Sequence, residues 1–303
     1  MNYFTNNSEE ISLIKFIAKY QYLNMQDVKY FFTSQSYYKK RIKHLIDKKI
    51  LRKLKQNLIL DELGISYSKL FNFEYNKLNR NKQYSKRLMR ISNIAAYYNN
   101  CESVKFTPSF SIKDKEIFTI TGRRFIGILD INEIEYLTYQ ISKEHDSRYI
   151  ASVIYDIQKE QKYRNFIIFV DNFNRININD FTFAKNQFII IEDTLDNRES
   201  LKYLNSVNYY TIVREYFKNN IVLSEYNFCD YTDHKSKYIS TFYFIDTEKI
   251  NRIKYFLREN ENKNEIIICN KNIEDILKSE LPTAKYISID LNPYIDKERI
   301  YYD

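Results

Sequence analysis

Tryptophan is absent from this 303-residue chain, and cysteine, glycine, proline and methionine occur only three times each. Several of these scarcities remove a class of explanation. Cys101, Cys229 and Cys269 lie far apart and form no CxxC or Cys/His cluster, which leaves no disulfide frame and no zinc site to read. His44, His145 and His234 are equally scattered and no GxSxG elbow occurs, which argues against a Ser-His-Asp hydrolase. Gly64, Gly122 and Gly127 fit neither a P-loop nor a GxGxxG turn, so a nucleotide-dependent enzyme of either kind is not expected. No run approaches the about 20 apolar residues that span a bilayer. The opening MNYFTNNSEEIS lacks the charged-then-apolar order of a secretory signal. We expect a cytoplasmic protein with no membrane contact, no metal and no cofactor.

What remains is rich in core-forming residues. A hydrophobic fraction of 44% argues for a folded chain rather than a disordered one. Asn, Lys, Ile, Tyr and Phe are all abundant, and A/T-rich codons specify them. The tyrosine content alone is therefore no sign of base stacking. Charge is the sharper signal. The first hundred residues hold 19 Lys or Arg against 7 Asp or Glu, whereas the remainder holds 28 against 32. The positive field belongs to the N-terminus, as for a basic binding module attached to a nearly neutral body.

That N-terminal stretch reads as three short helices and a hairpin. Ser8 is placed to cap a first helix, with Glu9 and Glu10 in its positive first turn, Ile11, Ile14, Ile17 and Ala18 as its apolar stripe, and an end near Tyr20. Asn24, with Asp27 three residues on, starts a second whose buried face is Met25, Val28, Phe31 and Phe32. Thr33 or Ser34 starts a third that runs to about Lys49, with Tyr38, Ile42, Leu45 and Ile46 inward. Leu51–Leu54 and Leu58–Leu60 then form a hairpin around Lys55, Gln56 and Asn57. This is the winged helix-turn-helix order, in which the first two helices brace the third against a major groove.

The third helix carries its cations off the apolar stripe. Lys39, Lys40, Lys43, Arg52, Lys53 and Lys55 are the candidates for phosphate, supplying salt-dependent affinity. Gln35, Ser36, Tyr37 and Arg41 are the candidates for base edges, and Ser34, Gln35 and Ser36 sit where free N–H groups favour phosphate. A winged helix used for protein contact, with lysines that only solubilise, is the competing reading.

The stretches LIKFIAKYQYLNMQDVKYFF, YKKRIKHLIDKKILRKL and LILDELGISY resemble the N-terminal region of the replication-relaxation family, winged-helix proteins of plasmids and conjugative elements. The matching pattern is a helix bearing Arg41, Leu45, Ile50 and Leu51, followed by a strand and a helix with Glu62 and Gly64. The resemblance covers about the first quarter of the chain. It implies an accessory role in plasmid replication or in relaxing DNA for transfer. It also implies a restriction-endonuclease-like domain in the middle of the chain.

Residues 62–100 read as a helical linker, with Leu88, Ile91, Ala95 and Tyr98 on one face for packing or for dimerisation. From Cys101 strands take over: EIFTI and RRFIGILDI flank a TG turn, EIEYLTYQI follows, then a helix with Ile150, Val153, Ile154 and Ile157 inward, then the buried strand NFIIFVD. An active nuclease of this kind needs clustered carboxylates for Mg²⁺ and a Lys two residues after an acid or Gln. Asp130, Glu133 and Glu135 supply acids, but no Lys follows Glu133 or Glu135 at that spacing, and Gln140 and Lys143 are three apart, on opposite strand faces. We expect this domain to be catalytically degenerate. The last third alternates apolar strands with amphipathic helices, as parallel pairing requires.

The expected fold is therefore α+β: a winged helix-turn-helix over residues 1–75, a helical linker over 76–100, a nuclease-like α/β domain over 101–195 and a C-terminal α/β region over 196–303. The expected function is sequence-specific binding of double-stranded DNA without catalysis. The protein would act for a plasmid, phage or conjugative element, as a replication or transfer accessory factor or a transcription regulator. The expected partners are DNA, a second copy of the chain and a replication or DNA-transfer protein. The alternatives are a metal-dependent nuclease and a protein-interaction regulator.

Overall fold

The computed structural model describes residues 7–34, 37–79, 81–113, 124–181, 187–204, 206–218, 221–233, 237–260 and 264–295. The chain is a mixed α+β protein that divides into two compact units, residues 1–117 and 118–303. No helix among the described residues is long and apolar enough to cross a membrane.

In the first unit, α1 (Ser8–Tyr20) is capped by Asn7, one residue earlier than expected, whose Oδ1 accepts the N–H groups of Glu9 and Glu10 at 3.0 and 3.1 Å. Gln21, at φ 70°, ends the helix and turns the chain into β1 (Leu23–Asn24). Where a second α-helix is expected there is a 3-10 helix over Val28–Phe31. The physical reason lies upstream: Leu23 and Asn24 pair with Leu58 and Asn57, and Asn24 Oδ1 accepts the Gln26 N–H at 2.9 Å, so the presumed cap is held in strand and turn geometry. α2 (Tyr38–Asp47) follows, shorter than the third helix expected. β2 (Leu51–Leu54) and β3 (Asn57–Leu60) form the hairpin, with Lys55 at φ 55° in its two-residue turn, and the sheet order is β1-β3-β2.

α3 (Glu62–Leu70) begins immediately after the hairpin, and Gly64 is the reason it fits. A Cβ there would stand 2.1 Å from the Ile50 carbonyl oxygen. α4 (Lys82–Tyr97), read from sequence as part of a linker, packs within this unit. Leu88 meets Tyr22 and Ile59, the Tyr22 hydroxyl donates to Asn79 O at 2.7 Å, and the Ser92 hydroxyl donates to the Tyr22 carbonyl. β4 (Val104–Pro108) and α5 (Ser109–Lys113) complete the unit.

The second unit opens with β5 (Gly127–Ile131) and β6 (Ile134–Ile141), an antiparallel pair joined through Asn132 and Glu133, both at positive φ. The strand EIFTI and the TG turn lie outside the described residues. α6 (Ser147–Lys159) leads to β7 (Asn165–Val170), and 3-10 turns lead on to β8 (Gln187–Glu192). Both strands pair parallel to their predecessor. Then come α7 (Leu195–Leu201), α8 (Tyr209–Phe217), β9 (Val222–Leu223), β10 (Tyr231–Thr232) and β11 (Lys237–Phe242). β12 (Ile245–Asp246) returns to pair antiparallel with β8, and α9 (Thr247–Glu259), β13 (Asn264–Asn270), α10 (Glu274–Glu280) and β14 (Lys285–Ile289) follow. The C-terminal strands build their own sheet, β14-β13-β11-β10-β9, in which β11, β13 and β14 run parallel.

These two halves of the second unit repeat one plan: antiparallel hairpin, helix, parallel strand, connection, parallel strand. The repetition extends to single hydrogen bonds. Ile126 N–H donates to Thr138 O at 2.8 Å in the first module, and Asp230 N–H donates to Ile239 O at 2.9 Å in the second. Asp146 caps α6 through the Tyr149 N–H at 2.9 Å, and Asp246 caps α9 through the Lys249 N–H at 3.0 Å. The Tyr149 hydroxyl reaches back to Gln140 O at 3.4 Å, and the Lys249 ammonium to Thr241 O at 2.7 Å. Gln140 and Thr241 occupy the same register position against the next parallel strand, opposite Phe169 and Ile268. No repeat is legible in the sequence, because the matching positions hold different side chains.

Candidate nucleic-acid interface

α2 buries Ile42 and Leu45, leaves Tyr38, Arg41 and Ile46 half-buried, and exposes Lys39, Lys40, Lys43 and His44. Tyr37, 49% exposed, stands at its start, with the Lys40 ammonium and the Arg41 guanidinium each 5.9 Å from its ring. Tyr37, in the N-cap position, makes no side-chain capping bond. Ser34 is exposed in the turn before it, its carbonyl accepting the Tyr37 N–H at 3.3 Å. Gln35 and Ser36 lie outside the described residues.

Arg41 departs from the role expected of it. Its Nε lies 2.5 Å from Oε1 of Glu10, which is only 1% exposed, so the guanidinium is tied to the first helix rather than offered as a free base-reading fork. The neighbouring Glu9 accepts both the N–H and the hydroxyl of Thr33 at 2.8 Å, and these bonds hold its carboxyl below the usual range. Two adjacent acids thus fix α2 and the turn that precedes it. From sequence they read only as complements to the helix dipole, because their partners lie 24 and 31 residues away.

The hairpin adds a second cluster. Arg52, Lys53 and Lys55 are all exposed, but Arg52 Nε stands 4.0 Å from Asp61 Oδ1 and is partly countered there. Among the described residues no acid pairs with Lys39, Lys40, Lys43, Lys53 or Lys55. Five unpaired ammonium groups on one short helix and the hairpin that follows it can neutralise phosphates and release their counterions.

The candidate nuclease residues are not brought together. Asp130 pairs with Glu135 beside the Asn132–Glu133 turn, at one end of β6, while Lys143 lies beyond the other end, which stops at Ile141. An eight-residue strand separates them by roughly 25 Å. Gln140 donates to Asp193 Oδ2 at 2.9 Å, and Asp193 Oδ1 takes the Arg198 guanidinium at 2.7 Å, while Gln140 Oε1 is buried without a partner. Among the described residues no group of three His, Cys, Asp or Glu side chains is placed to hold a metal ion. Comparison with protein-family models, with curated proteins and with solved structures finds no match to this chain.

Proposed function

We propose that the first unit is a winged helix-turn-helix that binds double-stranded DNA, with α2 as the recognition helix and the β2–β3 hairpin as the wing. The order of helix, short strand, 3-10 turn, helix and hairpin, with β1 completing the sheet, supports this reading. The observation that carries it is the unpaired lysine face: Lys39, Lys40 and Lys43 on the wet side of a helix whose opposite side is core. Tyr37 is the exposed side chain best fitted to a base edge, with the unpaired Lys39, Lys40 and Lys43 following it to hold phosphates. Action is by binding, with no covalent chemistry. The second unit serves dimerisation or recruits a replication or DNA-transfer protein. The setting on a plasmid, phage or conjugative element follows from the family resemblance, as does the role in replication, transfer or transcription.

The test is a mobility-shift titration on fragments of the host element's own DNA over a range of salt. Changing Lys39, Lys40 and Lys43 together to Glu is expected to weaken binding at every sequence. It should also lower the slope of log affinity against log salt by about 0.9 for each phosphate that is no longer neutralised. Affinity that survives the triple change would reject this face as the interface.

A further inference from the structure

The second unit holds a cleft of 760 Å³, lined from both of its sheets. It runs through Tyr209 and Lys249 into a recess of 290 Å³, and through Tyr226 and Arg252 into a groove of 460 Å³. Volumes of this size suit a small molecule. Groups shifted by burial surround it: the phenols of Tyr209 and Tyr231 and the thiol of Cys229 are all raised chiefly by desolvation, as is the carboxyl of Asp246. Such clustering marks functional clefts more often than plain surface.

The two cations on α9 are unequal. Lys249 is occupied: its ammonium donates to Asp230 Oδ2 at 2.5 Å and to Thr241 O at 2.7 Å. Arg252, three residues on along the same helix, makes no ion pair or hydrogen bond among the described residues, and its Nε is buried with no acceptor. The Nε is closed off from the cleft, but the two Nη groups are not buried and carry no acceptor, so they are the donors open to a bound anion. Around it, Tyr226 and Tyr255 expose 54% and 69% of their surface, and the Asn227 amide and the Tyr209 hydroxyl also have no hydrogen-bond partner among the described residues. The site offers one anion receptor, flat aromatic faces for stacking, and an amide that both donates and accepts.

We infer that this cleft binds a nucleoside monophosphate, its phosphate on Arg252 and its base stacked on Tyr226, with Asn227 and Tyr209 meeting the polar edges. Among the described residues that line the cleft, Arg252 is the one cation without a hydrogen bond or ion pair, although its charge also acts on the carboxyls of Asp246 and Glu248, and it matches one phosphate group. A nucleic-acid strand is disfavoured by the acidic excess of residues 101–303, 32 acids against 28 bases. The inference is independent of DNA binding by the first unit.

The experiment is calorimetric titration of the full chain with adenosine 5′-monophosphate and uridine 5′-monophosphate, with adenosine and inorganic phosphate as separate arms. Saturable binding of a monophosphate with Kd below about 1 mM is expected, weakened at least about tenfold when either the base or the phosphate is missing. Arg252→Gln and Tyr226→Leu should each weaken it by about tenfold while thermal unfolding stays unchanged. If the Gln variant does not fold, Arg252→Lys, which keeps the charge but loses the fork, takes its place with the same expectation. The proposal falls if neither monophosphate binds, if phosphate alone binds as tightly as the nucleotide, or if the Arg252 and Tyr226 changes leave the affinity as it was.

Discussion

Glu9 and Glu10 sit side by side in the first turn of α1, yet one grips the turn at Thr33 and the other a cation inside α2. Removing the Arg41 side chain strands the Glu10 carboxylate in the core. Arg41→Ala should therefore lower stability by about 3 kcal/mol, read from chemical unfolding, and Glu10→Gln combined with Arg41→Gln should restore most of that loss. A free Arg41 would show neither effect. Glu265 makes the second case at this scale. Its Oε1 accepts the Ser240 hydroxyl at 2.5 Å while Oε2 is buried without a partner, and burial pushes its carboxyl from 4.5 up to about 8. The folded value lies above the unfolded one, so its contribution is fully present below about pH 4.5 and is lost as the pH climbs through about 8. Glu265→Gln should flatten that decline in urea midpoints measured across the window. The exposed lysines of α2 were legible in sequence because they miss a helical stripe. The buried acids were not, because a carboxylate's partner 31 residues away leaves no local pattern.

Elements whose apolar period is strong were legible: α1, the β2–β3 hairpin and β7 stand where the sequence puts them. The second helix was not, because Leu23 and Asn24 are taken by the sheet and the helical pattern after them shrinks to one 3-10 turn. Two tight spots give tests at this scale. Gly64 carries α3 past the Ile50 carbonyl, and Gly64→Ala should cost about 1–3 kcal/mol, since backbone rather than a pliable side chain stands in the way. In the β5–β6 turn, Asn132 and Glu133 have φ values of 49° and 65°, the geometry of a two-residue turn that favours Gly in second place. Glu133→Gly should raise the melting temperature, with a gain of about 0.5–1 kcal/mol from released left-handed strain.

At the scale of the molecule, the charge asymmetry of the sequence maps onto the division into two compact units at residue 117. A fragment ending there should keep the salt slope of the full chain on a single DNA site, a comparison that mobility shifts at several salt concentrations make directly. The parallel strands of the second unit were legible from their unbroken apolar runs. The twofold plan was not, since Ile126 and Tyr149 in one module stand where the other has Asp230 and Lys249.

That correspondence makes each module a ready-made control for its neighbour. Transplanting the greasy pair into the charged half, as Asp230→Ile with Lys249→Tyr, asks the chain to accept a solution it already uses elsewhere. Asp230→Ile alone removes the ion-pair partner of Lys249 and the acceptor of the Thr241 N–H and hydroxyl, and should cost about 2 kcal/mol, whereas the double exchange, which removes the ammonium as well, should cost less. If both come out alike, the polar version was never more than decoration on a shared scaffold. If they differ, charge in that half is a departure the scaffold tolerates only as a matched set.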